Sequence, residues 1–342
     1  MTLLQQTQPA VTVLMCCFNA ERWLTLSITS VLNQSFKNFE FIIIDDGSTD
    51  NSLNLINKFS AIDSRIVVIS KSNTGPSHSR NVGISMARGR WISVIDADDL
   101  FESNKLEMQI AFAKADSSLV FIGTGLTVID ELGNKMSQHN YPADHHNLVH
   151  NLRTARKFPP HTSAFYRADL VRALDGYRTR LSQAEDADLW LRLSEVGRLG
   201  CMNGAYVQVR KHAHQISNFE NGRRQTIDAR MSTVASWLRE FNFSDPIAAD
   251  DESFKKYSSW MRARIDEDGL DNFLAFKSTF RLSLLESLIS PVEIYRPIFR
   301  CIKNPVYTFR FFWEQLFGES LSCKLAKRWM ATQYKKNEYS SN

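Results

Sequence analysis

The chain has 342 residues, 43% of them hydrophobic and 23% charged, with a formal net charge of +4. That mixture excludes a wholly disordered or fibrous chain. So small a charge balance also excludes a dedicated nucleic-acid binder, which would carry a strongly basic stripe. The five cysteines form no C-x-x-C pair, which argues against a disulfide framework or structural zinc and for a reducing compartment. Met1 to Ala10 lacks the positive charge and apolar core of a signal peptide, and no run approaches the ~20 apolar residues of a spanning helix. A cytoplasmic protein is expected, lying at most on the cytoplasmic face of a membrane.

The first hundred residues alternate between two periods. Val11 to Met15 is short, apolar and β-branched, a buried strand. Leu24, Ile28, Val31 and Leu32 then recur at helical spacing. Phe39 to Ile44 is a second strand, ending in Asp45-Asp46-Gly47. Leu53, Ile56 and Phe59 mark a second helix, with Ser48, Thr49 and Asp50 as cap candidates. Ile66 to Ile69 is a third strand, Ser77 to Arg88 a third helix closed by Gly89, and Trp91 to Ile95 a fourth strand ending at Asp96. This alternation predicts a mostly parallel α/β sheet, in which ligands bind at the carboxyl ends of strands.

Further on, Asn104 and Glu107 suit a capping box for a helix to about Ala115. Leu119 to Ile129 reads as strand, followed by a turn. Residues 139–160 read as a loop with a short helix, and Thr162 to Tyr166 as a strand. Leu189, Leu193 and Val196 mark another helix. Past Asn221 the strand signals stop and the chain reads as helical, broken at Pro291, Pro297 and Pro305. The division expected is 1–220 for the α/β domain and 221–342 for a helical region. From Pro291 to the end, nine Lys/Arg stand against four Asp/Glu, a balance of +5. Aromatics interleave with these cations, as in Phe309-Arg310-Phe311-Phe312-Trp313 and Lys327-Arg328-Trp329. Such a region suits docking on anionic lipid or on an acceptor. A helical bundle with those aromatics in its core is the alternative.

Four clusters carry chemistry. Asp96-Ala97-Asp98-Asp99 follows a strand, so Asp96 and Asp98 face one side. Two carboxylates there suit Mg²⁺ or Mn²⁺ bridging to phosphate oxygens, or simply a solvated turn. Asp45-Asp46-Gly47-Ser48 suits contact with a nucleobase or ribose, or a turn with a helix cap. Asn73-Thr74-Gly75-Pro76 and Ser79-Arg80-Asn81 permit close backbone approach and an Arg–phosphate contact. Glu185-Asp186 opens a helix, where a first-turn carboxylate stays ionised as a general base must.

Taken in order, these pieces resemble family 2 glycosyltransferases of the GT-A fold, a Rossmann-like sheet flanked by helices. The matching residues are Phe18-Asn19-Ala20-Glu21, Val31 to Ser35, Asp45 to Asp50, Asn73 to Gly83, Asp96-x-Asp98-Asp99, and Glu185-Asp186 with Trp190 and Arg192-Leu193. They cover about Val11 to Ser217. The resemblance implies an inverting, metal-dependent transfer of one sugar from a nucleotide diphosphate sugar, UDP-linked, to a hydroxyl of a glycan or lipid-linked oligosaccharide. Surface polysaccharide or lipopolysaccharide-type synthesis is the implied setting.

The resemblance also implies roles. Asp46 reads the base and Phe18 lines the nucleoside pocket. Asn19, Glu21, Arg80, Asp96 and Ala97 hold the rest of the nucleotide sugar. Asp98 holds Mn²⁺ or Mg²⁺, and His212 matches a late histidine near the metal, with a surface histidine as the alternative. Asp186, beside Glu185, is the general base. His161 and Trp190 fall on the acceptor side. Processive members carry Q/R-x-x-R-W; here Leu325 precedes Arg328-Trp329, which implies a non-processive enzyme. A non-catalytic sugar-nucleotide or glycan-binding module on the same scaffold is the competing reading.

Overall fold

The structure is a computed structural model describing residues 8–154, 157–213, 222–267 and 321–340. The chain forms two compact units, Met1–Asn221 and Gly222–Asn342. In the first unit the early periodicities become β1 (Val11–Cys17), α1 (Glu21–Leu32), β2 (Phe39–Asp45), α2 (Ser52–Ile62), β3 (Ile66–Ser70), α3 (Pro76–Met86) and β4 (Trp91–Asp96). β1 lies between β2 and β4, and all three run parallel. β3 continues the parallel set beyond β2.

Alternation along these strands builds two cores. Val11, Val13 and Met15 pack with Phe41 and Ile43 on one face; Leu14 packs with Ile42, Ile44 and Val94 on the other. Both faces are covered, so the strands read as continuous apolar runs. Leu14 is fully buried, and truncating such a residue to Ala costs about 2–5 kcal/mol.

Next come β5 (Leu100–Phe101), α4 (Lys105–Ala115), β6 (Leu119–Ile129), β7 (Lys135–His139) and α5 (His145–Arg153). A 3₁₀ turn (His161–Ser163), β8 (Phe165–Arg167), α6 (Ala168–Ala173), α7 (Glu185–Val196) and β9 (Arg198–Arg210) complete the unit. The strand order is β3-β2-β1-β4-β8-β6-β9-β5, with β7 on β6. β8 runs antiparallel to β4 and β6, so the sheet is mixed, with the long ladders β3-β2-β1-β4 and β6-β9 parallel. Order reverses at β1, whose neighbours β2 and β4 lie on opposite sides. A crevice opens at the carboxyl ends of strands at such a switch point.

Local details differ from expectation. Residues 162–163 form the 3₁₀ turn, and the strand begins at Phe165. The Asn104–Glu107 capping box does not form: Asn104 makes no side-chain cap, and Glu107 Oε2 accepts from Ser35 Oγ at 2.6 Å. The long strand β9, with glycines at 200 and 204, escaped the sequence pattern altogether.

The second unit contains α8 (Gly222–Glu240), α9 (Asp251–Glu267) and α10 (Leu321–Ser340). Tyr257 Oη donates to Met231 O at 2.8 Å, joining α9 to α8. Arg230 Nη1 donates to Ser322 Oγ at 2.7 Å, joining α8 to α10. Trp329 is buried edge-on to Tyr257 and Trp260, both at 5.1 Å. This aromatic of the basic region thus sits in a helical core. The Phe309–Trp313 cluster lies outside the described residues. Among the described residues no helix is long and apolar enough to cross a membrane.

Candidate active site

The loops after β1, β2 and β3 meet at one end of the sheet. Asn19 takes a left-handed conformation (φ 51°) directly after β1. Its Oδ1 accepts from Thr49 N at 2.8 Å, and its backbone N–H donates to Ser48 Oγ at 3.1 Å. Glu21 N donates to Asp50 Oδ2, and Asn51 N donates back to Glu21 Oε2 at 2.8 Å. Asn19 and Glu21 therefore brace the β1–α1 loop against the β2–α2 loop. Phe18, beside them, is 50% exposed.

Asp46 is buried and faces the β3–α3 loop. Its two oxygens accept from Thr74 N at 3.0 Å and Gly75 N at 2.9 Å, and Lys71 Nζ donates to the first. Burial pushes its pKa up, but Lys71 and the Thr74 N–H outweigh that and hold it below the usual carboxylate range. Gly47 follows at φ 78°, where a Cβ would meet Asn73 N at 2.8 Å, so glycine is required. The Asp46 carboxylate is the fastening of this loop.

The end of β4 is different. Asp96, Asp98 and Asp99 crowd together. The Asp96 side chain is 38% exposed, with Oδ1 3.3 Å from His161 Nδ1 and accepting from Arg80 Nη2 at 3.5 Å. Its enclosure raises its pKa, but the facing His161 and Arg80 win and hold it at about 2. Asp98 is shifted upward, by burial first and Asp96 second, despite His212. Its Oδ2 lies 2.7 Å from His212 Nε2. Asp99, fully enclosed beside both, is raised furthest; its Oδ1 accepts from Arg210 N at 2.9 Å. Ala97 O accepts from Ser27 Oγ at 2.8 Å, tying the turn to α1.

The start of α7 completes the site. Arg80 Nη1 donates to Glu185 Oε1 at 2.6 Å. One guanidinium thus links α3, the end of β4 and the first turn of α7. Burial raises the Glu185 pKa against the pull of Arg80. Asp186 is only half-buried, and its Oδ1 accepts from Ala187 N at 2.7 Å. His161 Nε2 lies 2.9 Å from Tyr177 Oη, and Tyr177 Oη lies 3.3 Å from Tyr166 Oη.

Trp190 corrects an expectation. It is 1% exposed, ringed by Phe121, Tyr166, His161 and Tyr177. It supports His161 from the core and presents no acceptor surface, because the inward stripe of α7 carries it under the sheet. His212 lies tilted against Trp23, centroids 4.2 Å apart, at the end of β9.

Three residues escaped the sequence reading. Lys71 secures Asp46. Tyr177 follows the Asp175-Gly176 turn. Arg210 donates from Nε to Asp98 O at 3.1 Å and from Nη1 to Asp130 O at 3.1 Å, pinning β9 to the acidic turn. Only Arg210 carried a local signal, a buried-type cation two residues before His212.

Among the described residues no three His, Cys, Asp or Glu side chains form a metal cage. Asp98 and His212 do adjoin, with hard oxygen and imidazole donors. Mg²⁺ commonly takes one or two protein carboxylates and completes its shell with water and substrate phosphates, so this pair fits a cation shared with a diphosphate.

A profile of the family described as Glycosyl transferase family 2 matches residues 12–175. An uncharacterized glycosyltransferase of Haemophilus influenzae is 34% identical over 225 residues, 62% of this chain and 69% of that protein. The chain belongs to glycosyltransferase family 2. The chondroitin synthase of Escherichia coli is 29% identical over 190 residues, 55% of this chain. This family 2 glycosyltransferase spans only 27% of that synthase's length. The structure of S. aureus TarS with UDP-GlcNAc shares the fold, with a TM-score of 0.56 at 18% identity over 75% of this chain and 72% of that one.

Proposed function

We propose that this glycosyltransferase moves one sugar per encounter from a UDP-linked donor to a hydroxyl of a glycan or lipid-linked acceptor, with inversion, in surface polysaccharide synthesis at the cytoplasmic face of the membrane. The observation that carries the reading is Arg80, which draws the end of β4 and the first turn of α7 to one point through Asp96 and Glu185. A donor group at the strand ends and a base at the helix start would then share one crevice. That TarS is seen in complex with UDP-GlcNAc and that a relative is named chondroitin synthase support the donor class and the setting.

In this mechanism Phe18 stacks on the base, while Asp46 keeps the β3–α3 loop folded beneath it. Asp96 receives the ribose. Asp98 and His212 would hold Mn²⁺ or Mg²⁺, which when bound offsets charge on the departing diphosphate. Asp186 takes the proton of the acceptor hydroxyl. That oxygen bonds to the anomeric carbon as the carbon–diphosphate bond breaks on the opposite side, which inverts the centre.

The test is a thermal-shift and slow-hydrolysis panel of UDP-, GDP-, dTDP- and CMP-sugars with Mn²⁺ or Mg²⁺. Stabilisation by UDP-sugars alone, dependent on the metal and lost in Asp98→Ala, is expected. Folded protein that responds to none of the four would overturn the transferase reading.

A further inference from the structure

We propose that the second unit carries a separate binding site for a neutral oligosaccharide, built on Trp260 of α9 and Trp329 of α10. The proposal rests on the transferase reading, since it names where an acceptor glycan would be gripped. Between α9 and α10 lies an open hollow of about 480 Å³, within the ~300–1,000 Å³ range of small-ligand sites.

The lining has a consistent chemistry. Trp260 and Trp329 supply two indoles, set edge-on at 64° with centroids 5.1 Å apart. The half-buried Trp260 ring offers a flat face to the C–H side of a pyranose, with the buried Trp329 packed against it as support. Ser259, Thr332 and Gln333 stand beside them as uncharged donors and acceptors. Charge at the rim is muted: Glu252 and Lys256 pair at 2.5 Å, one helical turn apart. A phosphate or carboxylate ligand would find little unpaired positive charge beyond Lys255, and a lipid surface would find too few apolar residues.

One group lacks a partner. Trp260 Nε1 is buried and meets no acceptor among the described residues. A buried donor without an acceptor is uncommon and calls for an explanation. A small rotation of the indole toward the hollow would bring this donor to a sugar hydroxyl.

The full-length protein, labelled with 5-fluorotryptophan and free of nucleotide, would be titrated with neutral tetrasaccharides: β-linked glucose, α-linked glucose and β-linked N-acetylglucosamine. Trp260→Phe and Trp329→Phe assign the two ¹⁹F signals. The expected result is a saturable shift of both signals with at least one sugar, weakened about five- to tenfold in Thr332→Ala/Gln333→Ala. That double variant changes two part-exposed residues and keeps both indoles, so loss of fold is separable by the unshifted spectrum of the free protein. Signals that ignore every sugar would overturn the proposal. Signals that move only with vesicles of anionic lipid would also overturn it, in favour of a membrane surface. Donor binding reports on the first unit and these tryptophans on the second, so either reading can fail alone.

Discussion

Two acidic regions at one end of the same sheet use carboxylates in opposite ways. After β1, β2 and β3, each carboxylate faces backbone N–H groups: Glu21 accepts from Asn51, Asp50 from Glu21 and Ser52, and Asp46 from Thr74 and Gly75. Asp46 and Asp50 are held below the ordinary range. After β4, Asp96 is held low by His161 and Arg80, while the adjoining Asp98 and Asp99 are pushed up by burial and by their acidic neighbours. The lesson concerns what an acidic motif means. A carboxylate whose oxygens meet N–H groups builds a loop; one crowded by like charge is a candidate for a cation or a substrate.

Substitutions can break or sharpen this contrast. The largest effect is expected at Asp186→Asn, which removes the proposed proton acceptor while keeping its shape. Turnover should fall about 10²- to 10⁴-fold with the melting temperature nearly unchanged, because the side chain is half-buried and makes only a local contact. A variant that retains turnover would move the base elsewhere. Asp98→Ala should lower turnover about 10²- to 10³-fold and remove metal-dependent donor stabilisation, read by thermal shift. It should not weaken the fold as a loop carboxylate would.

Asp46→Asn should do the reverse. It loses charge-assisted bonds to Lys71, Thr74 and Gly75, and stability should fall by about 1.5–3 kcal/mol, measured by urea unfolding. The pH dependence follows from the lowered pKa. Its stabilisation is present above the ordinary value of 3.8 and lost as pH falls below it toward the folded value. Wild type should therefore lose stability over that acid range while Asp46→Asn changes less. Equal acid profiles would show that the carboxylate does not fasten the loop.

The smallest effect is expected at Phe18→Leu. Loss of an exposed stacking face should cost about 0.5–1.5 kcal/mol, seen as a raised KM for the donor with kcat unchanged. An unchanged KM would remove Phe18 from the nucleoside pocket.

Much of this architecture is legible in the sequence. The strands of residues 11–96 follow from β-branched runs, and their helices from 3.6-residue spacing. The acidic clusters at strand ends pointed to the candidate site. What stayed hidden depended on distant partners. β9 reads poorly because Gly200, Gly204 and Asn203 interrupt it; pairing with β6 across repeated register shifts makes it a strand. The resemblance placed Trp190 at the site together with Glu185 and Asp186, yet the helix stripe turns it inward. The work of Asn19 and Glu21 as braces was equally invisible, since their partners lie about 30 residues away.

The sequence by itself determined the strands and helices of residues 11–96, because side-chain period and turn chemistry act over a few residues. It also determined that acidic groups end those strands. Tertiary structure alone decided which carboxylates are satisfied and which are crowded. Arg80 meets Glu185 across 105 residues and Asp98 meets His212 across 114, and only sheet order brings such groups within reach. Charge acts through distance in space, and distance in space is what the local pattern does not encode.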